Sequence, residues 1–287
     1  MTTSLLAAGA ASDSSDAPQP PAAAAATAAV VSELRLPQDE EGVPYYLYVP
    51  SEPDPGAPPL VAVHGISRGA DEHLAAFAPW AERSGRVLIA PLFSEEQCKR
   101  YQKVILDRCQ ADRALFATLR EVAEETGVQV ERFDLFGFSG GAQFAHRFAL
   151  LHPERVGRLA VAAAGWYSMP DFEEAFPYGL AQGRSSGRRF QPKLEAFLSI
   201  PILVLVGERD TERDSGLRKT RRVDRRQGRT RVQRAETWVE ALRAAAIRAE
   251  VPAEIALHVM PSCGHSFEDC VREGDLTREV MAWFDWP

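Results

Sequence analysis

The sequence predicts an α/β fold, an eight-stranded and mostly parallel twisted sheet with helices on both faces. Three observations carry this expectation. Short apolar runs alternate with helix-like stretches along most of the chain, which is the order of a doubly wound sheet. The runs are almost continuously apolar, as strands covered on both faces are. A composition of 45% hydrophobic and 25% charged residues over 287 residues is that of a globular chain able to bury a core without a structural metal.

The elements follow in order. Residues 1–29 hold twelve Ala with Ser, Asp and Pro between them, too little apolar bulk for a core, and are expected to be a disordered tail. One domain is expected over residues 30–287. Val30–Leu36 and Tyr45–Val49, separated by Pro37–Gly42, read as an opening hairpin. Apolar strands are expected at Leu60–Val63, Val87–Ala90, Phe133–Phe136, Leu159–Ala163, Ile202–Val206 and Ile255–Val259. Helices are expected at Glu72–Arg83, Ala111–Glu125, Ala142–Leu151, Arg231–Ala249 and Leu276–Phe284, with Ala114, Leu115, Leu119 and Val122 at helical spacing. Leu92–Cys109 and Gly165–Ser199 interrupt the alternation. Long insertions of this kind form lids or binding loops, and residues 165–199 are expected to form a short lid.

Charge and cysteines narrow the function. The formal charge is −7, which argues against nucleic acid as a partner. Cys98, Cys109, Cys263 and Cys270 form no CxxC motif and are expected to be free, mostly buried thiols. No apolar run is long enough to span a membrane. No Lys or Arg precedes Arg35, whereas a secretory signal begins with a positive segment, so a cytoplasmic location is expected.

The chemistry gathers at Gly137-Phe138-Ser139-Gly140-Gly141, between a strand and a helix. In that context the motif places a serine in a strained turn, with small residues two positions either side so that strand and helix pack closely. The hydroxyl needs a base. Of the six histidines, His265 lies just past the last strand, where ligands meet an open α/β sheet. His258 lies inside a strand, His146 and His152 behind Ser139, and His73 on an outer helix face. The base needs an acid, and Asp210 follows the strand Ile202–Val206, with Glu208 and Asp214 as competitors. The oxyanion donors are expected to be the N–H groups of Gly140 and Ile66, with Gly65 making the sharp turn.

These pieces resemble the α/β-hydrolase superfamily from about Val30 to Pro287, and within it the poly(3-hydroxybutyrate) depolymerase-like and dienelactone hydrolase-like esterases. The carrying residues are Tyr45–Pro50, Val63-His64-Gly65, Gly137–Gly141, Gly207–Asp210 and Gly264–Phe267. The order Ser139, Asp210, His265 is that of the superfamily. The resemblance implies carboxylic-ester hydrolysis through an acyl-enzyme, without a cofactor. The secreted depolymerases carry a signal peptide and often a polymer-binding domain; the sequence shows neither, so a small-molecule ester is the expected substrate.

Phe138, Trp166, Tyr167 and Met169 are expected to line an apolar substrate pocket. Residues 209–234 hold eleven Arg or Lys and four Asp or Glu, a local charge of +7 that leaves −14 for the remainder. With Arg184, Arg188 and Arg189 this band either draws in an anionic substrate or forms a solvated, ion-paired surface. No cluster has metal-ligand spacing and no nucleotide-binding loop is present, so neither metal nor cofactor is expected. Two other readings remain beside the esterase: a peptidase or amidase on the same fold, and a non-catalytic binding protein on a hydrolase scaffold.

Overall fold

The protein is described by a computed structural model over residues 32–106, 108–181 and 193–286. The expected N-terminal tail, and residues 182–192 of the expected lid, lie outside the described residues.

Seven strands and nine helices follow one another in the described chain. They are β1 (Tyr45–Tyr48), β2 (Leu60–Val63), α1 (Ala70–Ser84), β3 (Leu88–Pro91), α2 (Glu95–Cys98), α3 (Ala111–Thr126), β4 (Phe133–Phe138) and α4 (Gly140–Leu151). Then come β5 (Val156–Ala162), α5 (Leu194–Leu198), β6 (Ile202–Gly207), α6 (Arg221–Gln227), α7 (Arg231–Ala249), β7 (Ile255–Met260), α8 (Phe267–Arg272) and α9 (Leu276–Trp283). The sheet order is β1-β3-β2-β4-β5-β6-β7. Only β1 runs antiparallel, against β3.

The expected eighth strand is not formed among the described residues. The first arm of the opening hairpin makes a single bridge, between Arg35 and Tyr45. Leu36 beside it is 72% exposed, so this arm has no sheet face to bury and no reason to continue pairing.

The strands alternate side chains between two cores, as a period of two requires. Val61, Val63, Phe133 and Leu135 face a core shared with Leu115 of α3, Phe144 of α4 and Trp238 of α7. Leu60, Ala62, Phe136 and Phe138 face a second core with Phe77 of α1 and Met281 of α9. Helix signals are local. In α1, Leu74, Phe77, Ala78 and Ala81 are buried at helical spacing, Asp71 and Glu72 sit in the first turn, and Gly85 closes the helix at φ 68°. Thr230 caps α7 by accepting the Gln233 N–H at 3.2 Å. Four short helices, α2, α5, α6 and α8, were not expected, because each is too short to show a period.

The cysteines depart from expectation in part. Cys98 and Cys109 are joined in a disulfide, which closes the long connection after β3. Cys263 and Cys270 are free and buried, as expected. A crosslink over a separation of 11 residues stabilises by about 2–3 kcal/mol through the loop entropy it removes from the unfolded chain. Thiol titration of the unfolded, unreduced protein should therefore count two thiols, rising to all four Cys after reduction. Replacing both Cys98 and Cys109 by Ser should lower the urea-unfolding free energy by about 2–3 kcal/mol.

Candidate active site

β4 and β2 run side by side, with Val63 paired to Gly137. Where β4 ends, the chain must turn sharply into α4. Ser139 makes that turn at φ 52° and ψ −106°, a backbone conformation a non-glycine residue rarely adopts, and its N–H is held by the Ala162 carbonyl at 2.8 Å. The turn is tight enough to demand glycine on both sides. A Cβ on Gly137 would lie 2.3 Å from the Gly141 oxygen, and one on Gly141 would lie 2.0 Å from the Val63 oxygen. Ser139 is thereby raised at the carboxyl edge of the sheet, 8% exposed.

Two further carboxyl-edge loops meet it. His265 follows β7, and its Nε2 lies 3.0 Å from Ser139 Oγ. Asp210 follows β6, and its Oδ2 lies 2.7 Å from His265 Nδ1. A carboxylate accepts, so Nδ1 carries the proton and Nε2 is left to accept from the serine hydroxyl. Gly207 makes the crossing of these two loops possible, since a Cβ there would lie 2.4 Å from the Cys263 oxygen.

The second oxygen of Asp210 was not accounted for by the sequence. Arg231, at the start of α7 and 2% exposed, donates from Nη1 to Asp210 Oδ1 at 3.1 Å. The same guanidinium grips Asp214 at 2.7 and 3.2 Å. Asp210 is thus fixed from both sides, by an imidazole and a guanidinium. The Arg231 hydrogen bond holds the Asp214 carboxyl down to about 2, so Asp214 is an anchor for Arg231 rather than a rival partner for His265. Glu208 points elsewhere, accepting the Ser262 N–H at 3.4 Å.

The loop after β2 supplies the other wall. Ile66 N lies 3.2 Å from where a Cβ on Gly140 would stand, so the backbones of these two residues meet beside Ser139. Gly140 opens α4, and the first N–H groups of a helix have no partner within it. His64 steadies this loop. Its Nδ1 donates to the Gly65 carbonyl at 2.7 Å, and its Nε2 accepts the Phe93 N–H at 3.0 Å. The Tyr101 hydroxyl donates to the His64 carbonyl at 2.7 Å. Burial lowers the His64 imidazole to about 4. The turn runs from Gly65, whose carbonyl accepts the Arg68 N–H at 3.1 Å, and its left-handed residue is Arg68, at φ 63°.

A cleft of about 410 Å³ opens over these groups, lined by Ser139, His265, Ile66 and Phe138. Its apolar wall is aromatic. Phe138 stacks on His265 at 5.5 Å and meets Phe267 edge-on at 5.4 Å. His73 stacks on Phe267 at 3.9 Å. It is 2% exposed and lines the cleft, where the sequence had suggested an outer face. Gln143 also lines the cleft, and the sequence reading missed it. The available signal was its place one turn beyond Ser139 on the same helix.

Trp166, Tyr167 and Met169, at the start of the expected lid, do not line this cleft; they are buried. Tyr167 stacks on Trp238 at 4.4 Å. Trp166 lies between the Arg147 guanidinium, 4.0 Å from its ring, and Tyr178 at 4.9 Å. Large aromatic surface is better spent in a dry core than at a rim, and here Arg147 supplies a cationic face for it.

The basic band is largely used internally. Arg222 and Arg226 pair with Glu174, Arg226 also with Asp171, and Arg218 with the Tyr178 hydroxyl. Arg213 and Arg234 share Asp224 at 2.7 and 2.8 Å. The first set ties residues 171–178 down onto α6 and the loop before it, and Asp224 ties α6 to α7. Arg184, Arg188 and Arg189 lie outside the described residues. The remaining histidines are structural. His146 is buried and accepts the Ser168 N–H at 3.0 Å, His152 pairs with Asp112 at 3.1 Å, and His258 approaches Glu279 at 3.7 Å.

Neither a family model nor a curated protein sequence matches the chain. Solved structures do. Poly(aspartic acid) hydrolase-1 from Sphingomonas sp. KT-1 superposes with a TM-score of 0.72 at 26% identity, covering 88% of this chain and 98% of that one. LpqC, a poly(3-hydroxybutyrate) depolymerase from Bordetella parapertussis, superposes with a TM-score of 0.72 at 25% identity, covering 89% of this chain and 90% of that one. A thermostable esterase matches in fold, with a TM-score of 0.53 at 17% identity over 89% of this chain and 61% of that one.

Two outcomes test the local account. Gly141→Ala should leave little or no folded protein by circular dichroism, because its Cβ would meet backbone on a neighbouring strand. His64 titrates lower in the folded chain than in the unfolded one, from 6.5 to about 4, so its contribution to stability is present above about pH 6.5 and is lost as the pH falls toward 4. Urea unfolding at pH 7 and pH 5 should show a smaller acid loss in His64→Gln than in the wild type.

Proposed function

We propose that this chain, which has the α/β-hydrolase fold and resembles the esterases of that superfamily, is a serine hydrolase that cleaves carboxylic esters through an acyl-enzyme on Ser139. The observation that carries the reading is the unbroken line Ser139–His265–Asp210, with separations of 3.0 and 2.7 Å, at the carboxyl edge of the sheet.

The steps follow from the geometry. His265 Nε2 takes the hydroxyl proton as Ser139 Oγ attacks the ester carbonyl. Asp210 holds the imidazole in the tautomer that can accept and stabilises the imidazolium that forms. The carbonyl oxygen gains negative charge and is met by the N–H groups of Gly140 and Ile66. His265 then gives its proton to the leaving alcohol, which departs beside the wall of Phe138 and Phe267. Water, deprotonated by the same imidazole, attacks the acyl-enzyme and frees the acid.

The amidase reading uses the same groups and is favoured by one likeness, that to a hydrolase of poly(aspartic acid). The one Arg or Lys among the described residues that lines the cleft, Arg231, is already bonded to Asp210 and Asp214, so an anionic substrate finds no free guanidinium there. A small neutral ester fits the cleft better. The Cys98–Cys109 disulfide favours an oxidising compartment over the cytoplasm, where thiols are kept reduced.

Steady-state kinetics on matched ester and amide substrates of one acyl group tests this. Ser139→Ala should lower kcat about ten-thousandfold or more on the ester, and the ester should exceed the amide in kcat/KM. Wild-type turnover by Ser139→Ala would remove the assignment, and a higher kcat/KM for the amide would make the chain an amidase.

A further inference from the structure

Three side chains lining the cleft carry a buried polar atom without a hydrogen-bond partner, His73 Nδ1, Arg231 Nε and Gln143 Oε1, and of these Gln143 alone has neither a stacked ring nor an ion pair. Gln143 is 8% exposed, and its Oε1 makes no hydrogen bond. A buried amide oxygen left unsatisfied is costly, and native proteins keep few of them. Gln143 lies one turn along α4 from Ser139, to whose carbonyl its own N–H donates at 3.2 Å. Residues four apart share a helix face, so Gln143 and the serine look onto the same space. Gly165, just past β5, also lines that space, and a Cβ there would crowd Gln143 Nε2 to 3.2 Å. The glycine leaves room for the amide in the wall of the cleft.

Resting on the acyl-transfer reading above, we infer that Gln143 is a specificity residue: its amide binds an uncharged hydrogen-bond donor on the substrate, a hydroxyl or an amide N–H near the scissile carbonyl. The chemistry of the cleft selects this class. An acceptor calls for a donor, and a carboxylate brings none. A carboxylate would also meet Glu72, Asp214 and Glu268 in the same cleft, where the guanidinium of Arg231 is already engaged by Asp210 and Asp214. A methyl group placed against Gln143 would leave the amide dry and unpaired. A hydroxyl can accept from Nε2 and donate to Oε1, so it complements both ends of the side chain.

The test compares short aryl esters that carry a methyl, a hydroxyl or an acetylamino group at one position, in one series on the acyl chain and in another on the alcohol. Wild type should favour the hydroxyl or acetylamino ester over its methyl counterpart by roughly tenfold in kcat/KM in one of the series. In Gln143→Leu that ratio should fall toward one, and Gln143→Met, which fills a similar volume without the amide, should reproduce the fall if the leucine variant folds poorly. A wild-type ratio near one in both series, or a ratio unchanged in Gln143→Leu and Gln143→Met, would overturn the inference. Binding separates this from failure of the acyl-transfer reading. Calorimetry with the matching methyl- and hydroxyl-bearing ketones on Ser139→Ala, with and without Gln143→Leu, needs no turnover. A hydroxyl preference of roughly tenfold in Kd that vanishes with Gln143→Leu supports the inference even if no ester is hydrolysed, and its absence from Ser139→Ala counts against it.

Discussion

The Gly141 backbone passes so close to Val63 that a Cβ would stand 2.0 Å from the Val63 oxygen, and the arrangement of the site depends on that missing carbon. Through it the first turn of α4 seats against the end of β2. The loop carrying Ile66 then lies beside Gly140, and Ser139 is held in its strained turn. The strain is local, and the buried sheet on either side over-determines it. With β2 and β4 fixed in register, the loops after β6 and β7 have one place to go. Gly207 lets them cross, bringing Asp210 and His265 onto the serine.

Charge is used here for position. A fully buried carboxylate is expensive unless both oxygens are met, and Asp210 meets His265 with one and Arg231 with the other. Arg231 is in turn pinned by Asp214, so the orientation of the acid is set from a helix rather than from its own loop. The rest of the basic band does comparable work farther out. It clamps residues 171–178 onto α6 and the loop before it, while Arg147 and Arg218 pack on the two aromatic rings of Trp166 and Tyr178. Six of the eleven cations of a sequence strongly basic over 26 residues are thereby used inside the fold.

Much of this was legible beforehand, for identifiable reasons. Strands buried on both faces leave continuous apolar runs, so β2 to β6 stood out, and the half-exposed edge strand β7 kept an apolar run as well. The turn at Ser139 shows itself because sterics allow only small residues at Gly137 and Gly141. Asp210 and His265 were placed by the rule that ligands meet the carboxyl edge. What was not legible depended on partners distant in sequence. The first hairpin arm looked like a strand, but with Leu36 exposed it had nothing to cover. Trp166 and Tyr167 followed a strand, as pocket residues do, yet Arg147 and Trp238 offered them a core. Arg231 was hidden in a charge count, and Gln143 in a helix pattern that does not say what lies across the cleft.

The central claim is that these residues make an activated serine. The most direct measurement is active-site labelling with a fluorophosphonate, read by intact mass on wild type beside Ser139→Ala. The account predicts one adduct on the wild type, located at Ser139, and none on the variant. A folded wild type that takes no adduct, or a variant that is labelled equally, would contradict it.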